Sequence, residues 1–169
     1  MGNLTIDADA HPVRAQLQLR VAMTAVAALP STFPPACRTH ADGDVRILWI
    51  GPERWLLVSD ERSADALARY CARVLEGVLH HAADNTAATA CARLQGARVR
   101  DLLAMGSGID WHGAEVVPGY CARTRFARIP VIVDVLEPQS FELYYERSHC
   151  DYLRRWFAHA AGDPLLAAS

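Results

Sequence analysis

Residues 45–58 constrain this chain more than any other stretch. Two short apolar runs, VRILWI at 45–50 and WLLV at 55–58, flank the turn Gly51-Pro-Glu-Arg54. Glycine supplies conformational freedom and proline a fixed φ, so the segment is expected to be a β-hairpin. A half-exposed sheet should alternate apolar and polar residues. This hairpin does not. With Ile50 set against Trp55, one face carries Leu48, Ile50, Trp55 and Leu57, and the other Ile47, Trp49, Leu56 and Val58. Both faces need cover. A helix can cover one. Either the second half of the chain or another polypeptide covers the other, and two tryptophans in one hairpin fit an interface.

The elements around the hairpin follow from periodicity. Before it, the alternation at 16–21 suggests a strand, and Pro30, Pro34 and Pro35 forbid a helix beside them. Residues 1–44 therefore read as an N-terminal arm with one possible strand. After the hairpin, Ser63 is placed to cap a helix whose apolar face runs from Leu67 to Leu79. Residues 82–88 are small and polar and form the expected midpoint. Then come a strand at 89–94, a helix ended by Gly106-Ser-Gly108, and a Gly- and Pro-rich loop over 106–120. Strands at 122–128, 131–136 and 141–146 follow. A last helix opens at Ser148, with Asp151 as a capping partner, and stops at Gly162. Hairpins and single helices alternate without repeated βαβ units. The expected fold class is α+β, two ferredoxin-like α/β plait halves with mainly antiparallel sheets, divided as 1–44, 45–84 and 85–169.

Composition limits the function. Of 169 residues, 51% are hydrophobic and 21% charged, with a net charge of −2, which suits a globular domain without the basic excess of a nucleic-acid binder. The chain has no lysine, so Schiff-base chemistry is excluded. No apolar run is long enough to span a bilayer, and the first residues lack the basic-then-apolar pattern of a secretory signal, so a cytoplasmic protein is expected. Its five cysteines are widely spaced without a C-x-x-C pair, as free thiols in a reducing compartment would be.

No catalytic set emerges. His149-Cys150-Asp151 has the letters of a triad, but consecutive residues on a helix point apart. Asp110-Trp111-His112 lies in the Gly-rich loop, where it could meet a ligand or simply pack. His80-His81, read as a helix end, suits the helix dipole better than a metal. Neither a phosphate loop nor a dinucleotide fingerprint is present. Arg123 and Arg125 share one face of a strand and could hold an anion or an acidic patch, or pair across strands with Glu142 or Glu146. Trp49, Trp55, Trp111, Arg123 and Arg125 are the candidate partner-interface residues; no catalytic, cofactor or metal residue is assigned.

Five segments together resemble the gamma subunits of heterotetrameric sarcosine oxidases. They are ILWIGPERWLLV at 47–58, LQGARVRDLL at 94–103, IDWH at 109–112, PGYCART at 118–124, and FELYYERS at 141–148 followed by Tyr152, Leu153 and Trp156. MGSG at 105–108 departs from that family's "K-G-C-P". The resemblance implies a non-catalytic subunit that assembles with alpha, beta and delta subunits. Those partners would hold FAD, FMN, NAD and tetrahydrofolate and oxidise sarcosine or a related N-methyl amine, passing the one-carbon unit to folate and forming hydrogen peroxide. It also implies a fold akin to part of the folate-dependent aminomethyltransferase (GcvT) and YgfZ group. A stand-alone folate-binding protein of that group is the alternative, although the chain lacks the lysine and Gly-Gln ending of the YgfZ loop.

Overall fold

The computed structural model describes residues 4–8 and 15–162. Ten strands and three helices follow one another as β1 (Thr5–Asp7), β2 (Ala15–Val21), β3 (Thr39–Asp42), β4 (Val45–Gly51), β5 (Arg54–Ser59), α1 (Ala64–Val74), β6 (His80–Asp84), β7 (Thr89–Gln95), α2 (Val99–Gly106), β8 (Cys121–Phe126), β9 (Ile129–Glu137), β10 (Ser140–Glu146) and α3 (Cys150–Ala161). Short 3₁₀ helices span Met23–Ala28 and Arg147–His149. The chain is α+β with two mainly antiparallel five-stranded sheets, ordered β3-β4-β5-β2-β6 and β1-β7-β10-β9-β8.

The two compact units each hold one sheet. The first contains residues 15–89 and the second contains 4–8 with 90–162. This division departs from the expected arm and from the expected break after residue 84. Instead of lying over other elements, the first residues supply a strand to each sheet: β2 sits between β5 and β6, and β1 pairs with β7. The polar stretch at 82–88 hid β6. It borders β2 at the sheet edge, where a strand needs little apolar surface.

In the first unit α1 begins as its sequence predicts. The Ser63 hydroxyl accepts from the Ala66 amide at 3.3 Å. The helix ends at Val74, one turn earlier than the Leu67–Leu79 face suggested, and Gly77 turns the chain with φ 77°. Leu67, Tyr70, Cys71 and Leu75 pack on Leu17, Leu19, Val45, Ile47, Trp55 and Leu57.

The hairpin register differs from the expected one by a residue. Trp49 faces Trp55, Leu48 faces Leu56, Ile47 faces Leu57, and an irregularity between Trp49 and Gly51 leaves Ile50 over. The cause lies in the turn. Pro52 holds the first turn residue at negative φ, while Glu53 takes φ 62°, the pattern of a type II turn. Such turns do not follow strand twist, and an extra residue absorbs the mismatch. Both tryptophans thus share the face that α1 covers. The opposite face, with Leu48, Ile50, Leu56 and Val58, is buried within this single chain at 0–4% exposure.

In the second unit α2 and α3 cover one sheet face, burying Leu102, Leu103, Leu153 and Phe157 against Val131, Val133, Phe141 and Leu143. The expected Ser148 cap is absent, because a 3₁₀ turn precedes α3 and His149 stands at its start without a capping bond.

Candidate functional site

Each residue singled out from sequence has a definite place. His149, Cys150 and Asp151 open α3, and Asp151 binds Arg154 one turn on at 2.8 Å, so the three letters do not form a relay. His80 and His81 lie on β6 rather than at a helix end. The His80 ring Nδ1 sits 2.8 Å from the Val78 carbonyl. No group of three metal-ligating side chains occurs among the described residues. None of the five cysteines forms a disulfide. Burial pushes the Cys71 thiol up to about 11, the direction of an unreactive thiol.

The Gly-rich loop is latched from α2. Arg100 donates to the carbonyls of Trp111, Val116 and Pro138, the last two at 2.9 and 3.2 Å, and lies over the Phe141 ring at 5.5 Å. One planar guanidinium with five donors can serve three acceptors at once. Trp111 is fully buried, donates to Ser107 Oγ at 2.7 Å and meets Phe141 edge-on at 6.2 Å. His112 is exposed, with Nε2 3.1 Å from Asp101, whose other oxygen receives Arg98. The loop's aromatic and acid-base letters are therefore spent on packing and on holding the loop to α2.

Arg123 and Arg125 are exposed on β8, an edge strand of their sheet. Cross-strand pairing with Glu142 does not occur, since β9 lies between β8 and β10. Glu142 is instead buried and takes Arg93 from β7 at 2.5 Å and the Tyr144 hydroxyl at 2.5 Å. A buried carboxylate requires such partners.

Trp49 and Trp55 stand in different surroundings although they face each other. Trp55 is buried, donates its indole N–H to the Pro34 carbonyl at 3.1 Å and meets Phe33 edge-on at 5.7 Å. Trp49 is half-buried. Both line an open, mainly apolar groove of about 740 Å³, walled by the 3₁₀ helix at Met23–Ala28, the prolines that follow it, and the hairpin turn. The sequence reading missed Met23, Val26 and Glu53 as members of this wall. Its only available signal was apolar residues directly before a proline cluster.

A titrating cluster flanks α1 in the same unit. Arg62 grips Asp44 through Nε at 2.7 Å and Nη2 at 2.5 Å, and Ser59 donates to the same carboxylate at 3.0 Å. The Arg62 guanidinium holds the Asp44 carboxyl at about 2, well below its usual value. The Tyr70 hydroxyl, pushed up by burial, donates to Asp42 at 2.6 Å. Tyr70 also lies beneath Arg62 and Arg73 at 5.4 and 5.8 Å. These groups satisfy one another and tie β3 and the turn after it to the end of β5 and to α1.

None of the described helices is long and apolar enough to cross a membrane. Comparison with known proteins then places the chain. No curated protein sequence matches it. Among solved structures, a chain of the heterotetrameric sarcosine oxidase from Corynebacterium sp. U-96, in complex with pyrrole 2-carboxylate, is similar with TM-score 0.77 at 23% identity, over 99% of this chain and 86% of that one. Aminomethyltransferase T of the glycine cleavage system from Bartonella henselae is similar with TM-score 0.58 at 12% identity, over 95% of this chain and 46% of that one. These likenesses establish the fold, and the second bears out the expected likeness of fold to aminomethyltransferases. The profile described as "Sarcosine oxidase, gamma subunit family" matches residues 14–163, nearly the whole chain, and on that match this protein belongs to the sarcosine oxidase gamma subunit family.

Proposed function

We propose that the chain is a non-catalytic gamma subunit of a heterotetrameric, flavin-dependent oxidase of the sarcosine oxidase kind. The observation that carries the reading is the family match over residues 14–163. The likeness of fold to a chain of a heterotetrameric enzyme supports it. The partners are alpha, beta and delta subunits holding FAD, FMN, NAD and tetrahydrofolate. The reaction is oxidative demethylation of sarcosine or a related N-methyl amine. Two electrons leave the amine and reach oxygen as hydrogen peroxide, while folate takes the one-carbon unit. Five cysteines without a disulfide suit assembly in the reducing cytoplasm.

Co-expression with the other three subunits tests the reading. The full chain is expected to elute with them at one copy each. Leaving it out is expected to cut sarcosine-dependent hydrogen peroxide formation at least tenfold. A chain that elutes alone while the other three assemble and turn over at the full rate overturns the reading.

A further inference from the structure

We infer that the groove between the Met23–Ala28 helix and the hairpin turn docks an apolar segment of a partner subunit, with a basic side chain of that segment set against Glu53. The inference rests on the gamma-subunit reading and adds the surface used and the chemistry of what fills it.

The 3₁₀ helix buries none of its residues. Met23 is 76% exposed and Val26 37%. A solvated helix of this length has little to hold it by itself, since six residues make few backbone bonds. It is nevertheless held in place. The Ala22 amide donates to the Leu79 carbonyl at 3.1 Å, and Leu79 is itself 76% exposed. Large apolar side chains are thus presented next to a cleft, rather than scattered singly. The cleft wall is firm. Trp55 is fixed by its bond to Pro34 and its edge contact with Phe33, and prolines restrict the backbone on the same side. A preorganised aromatic and proline wall loses little entropy on binding.

The occupant's chemistry follows from the lining. Glu53 is its single charged side chain. The turn that carries it is fixed, because the Val21 amide donates to the Glu53 carbonyl at 2.9 Å. An apolar occupant would strip water from this carboxylate and leave it without a counter-charge, which is unfavourable unless the occupant brings a cation. A small molecule could fill the cleft but would leave Leu79, which lies outside the lining, in water. A polypeptide segment with apolar side chains and one Arg or Lys can fill the cleft and extend over Leu79.

Competitive co-expression tests this. A tagged wild-type chain and an untagged competitor are produced with the alpha, beta and delta subunits, and the ratio incorporated into the complex is measured. Untagged wild type is expected at parity. The M23D/V26D double variant is expected at less than one tenth of parity, A27R likewise, and E53R at less than one third. Met23, Val26 and Ala27 are exposed and Glu53 is half-buried, and the near-ultraviolet circular dichroism of the tryptophans and the melting temperature of each full chain show whether it has folded. Folded variants incorporated at parity overturn the inference and leave the subunit reading standing. Failure of wild type to incorporate removes both. Self-association of the chain that M23D/V26D abolishes, with incorporation unchanged, assigns the groove to a second copy and overturns the inference as well.

Discussion

Gly106 shows how one residue can oppose its own propensity. It ends α2, where alanine is worth about 1 kcal/mol more in a helix interior. A Cβ there would fall 2.3 Å from the Phe126 ring. That ring cannot give way easily, with Trp156 at 4.7 Å and Phe157 at 5.8 Å around it. Gly106→Ala is therefore expected to destabilise the chain by about 1–3 kcal/mol, read by urea denaturation. Unchanged or raised stability would show that the aromatic cluster repacks. Asp44 contributes to the pH dependence of the first unit. Its folded carboxyl titrates at about 2, below the usual 3.8, because Arg62 holds the charged form. The stability from this group is then fully present above about pH 4 and is lost as pH falls towards 2. Asp44→Asn should lower stability at neutral pH and flatten the acid limb between pH 4 and 2, followed by thermal melts across that window. An acid limb as steep as wild type would mean that other carboxylates dominate it.

At the scale of elements, the loop at 107–120 is held to α2 by Arg100, with Asp101 binding His112 beside it. Lysine keeps the charge of Arg100 but has a single nitrogen, which cannot reach three carbonyls in one plane and lie over Phe141 as well. Arg100→Lys should speed amide hydrogen exchange across 107–120 by about tenfold or more, a loss of about 1.4 kcal/mol of local stability, with β9 and β10 unaffected. Equal exchange in variant and wild type would show that Trp111 packing alone holds the loop. The turn between β8 and β9 is another local device. Ala127 and Arg128 both take positive φ, 49° and 72°, without a glycine. The strain persists because the Ala127 amide donates to Gly106 and its carbonyl accepts from Tyr152, both at 2.8 Å.

Most elements were legible from residue patterns alone. Those with a strong period and a cap, such as α1 behind Ser63 and the hairpin about Pro52, lie where their side-chain spacing puts them. The strands missed were β1, β3 and β6, edge strands that are short or whose polar, small residues carry no period to read. The candidate site was legible only in part. Trp49 was visible as an unusual aromatic. The groove beside it also needs Met23 and Glu53, which are distant from Trp49 in sequence or silent in pattern.

At the scale of the molecule, β1 lies far in sequence from the strand it completes. Thr5, Ile6 and Asp7 pair with Gln95, Leu94 and Arg93, Leu4 and Ile6 pack against the core of the second unit, and the Ala8 carbonyl accepts from Tyr145 at 3.2 Å. Deleting residues 1–8 should cost about 2–4 kcal/mol, from two half-buried apolar side chains and the lost ladder, and should raise hydrogen exchange along β7. The bared edge of β7 would also favour aggregation, visible by light scattering. Full stability after the deletion would show that β1 contributes nothing to this sheet.

By itself the sequence determined the α+β class, the start of α1, the hairpin and the ordered motifs of a gamma subunit, because each depends on neighbours within a turn or two along the chain. Only the tertiary structure decided the rest. A one-residue irregularity at Ile50 exchanged the hairpin faces and set Trp49 against Trp55. The insertion of β2 between β5 and β6, and the pairing of β1 with β7, join segments tens of residues apart. The interposition of β9 parted Arg123 and Arg125 from Glu142. These outcomes turn on register and strand order, which depend on how whole apolar faces are buried rather than on any local preference of the backbone.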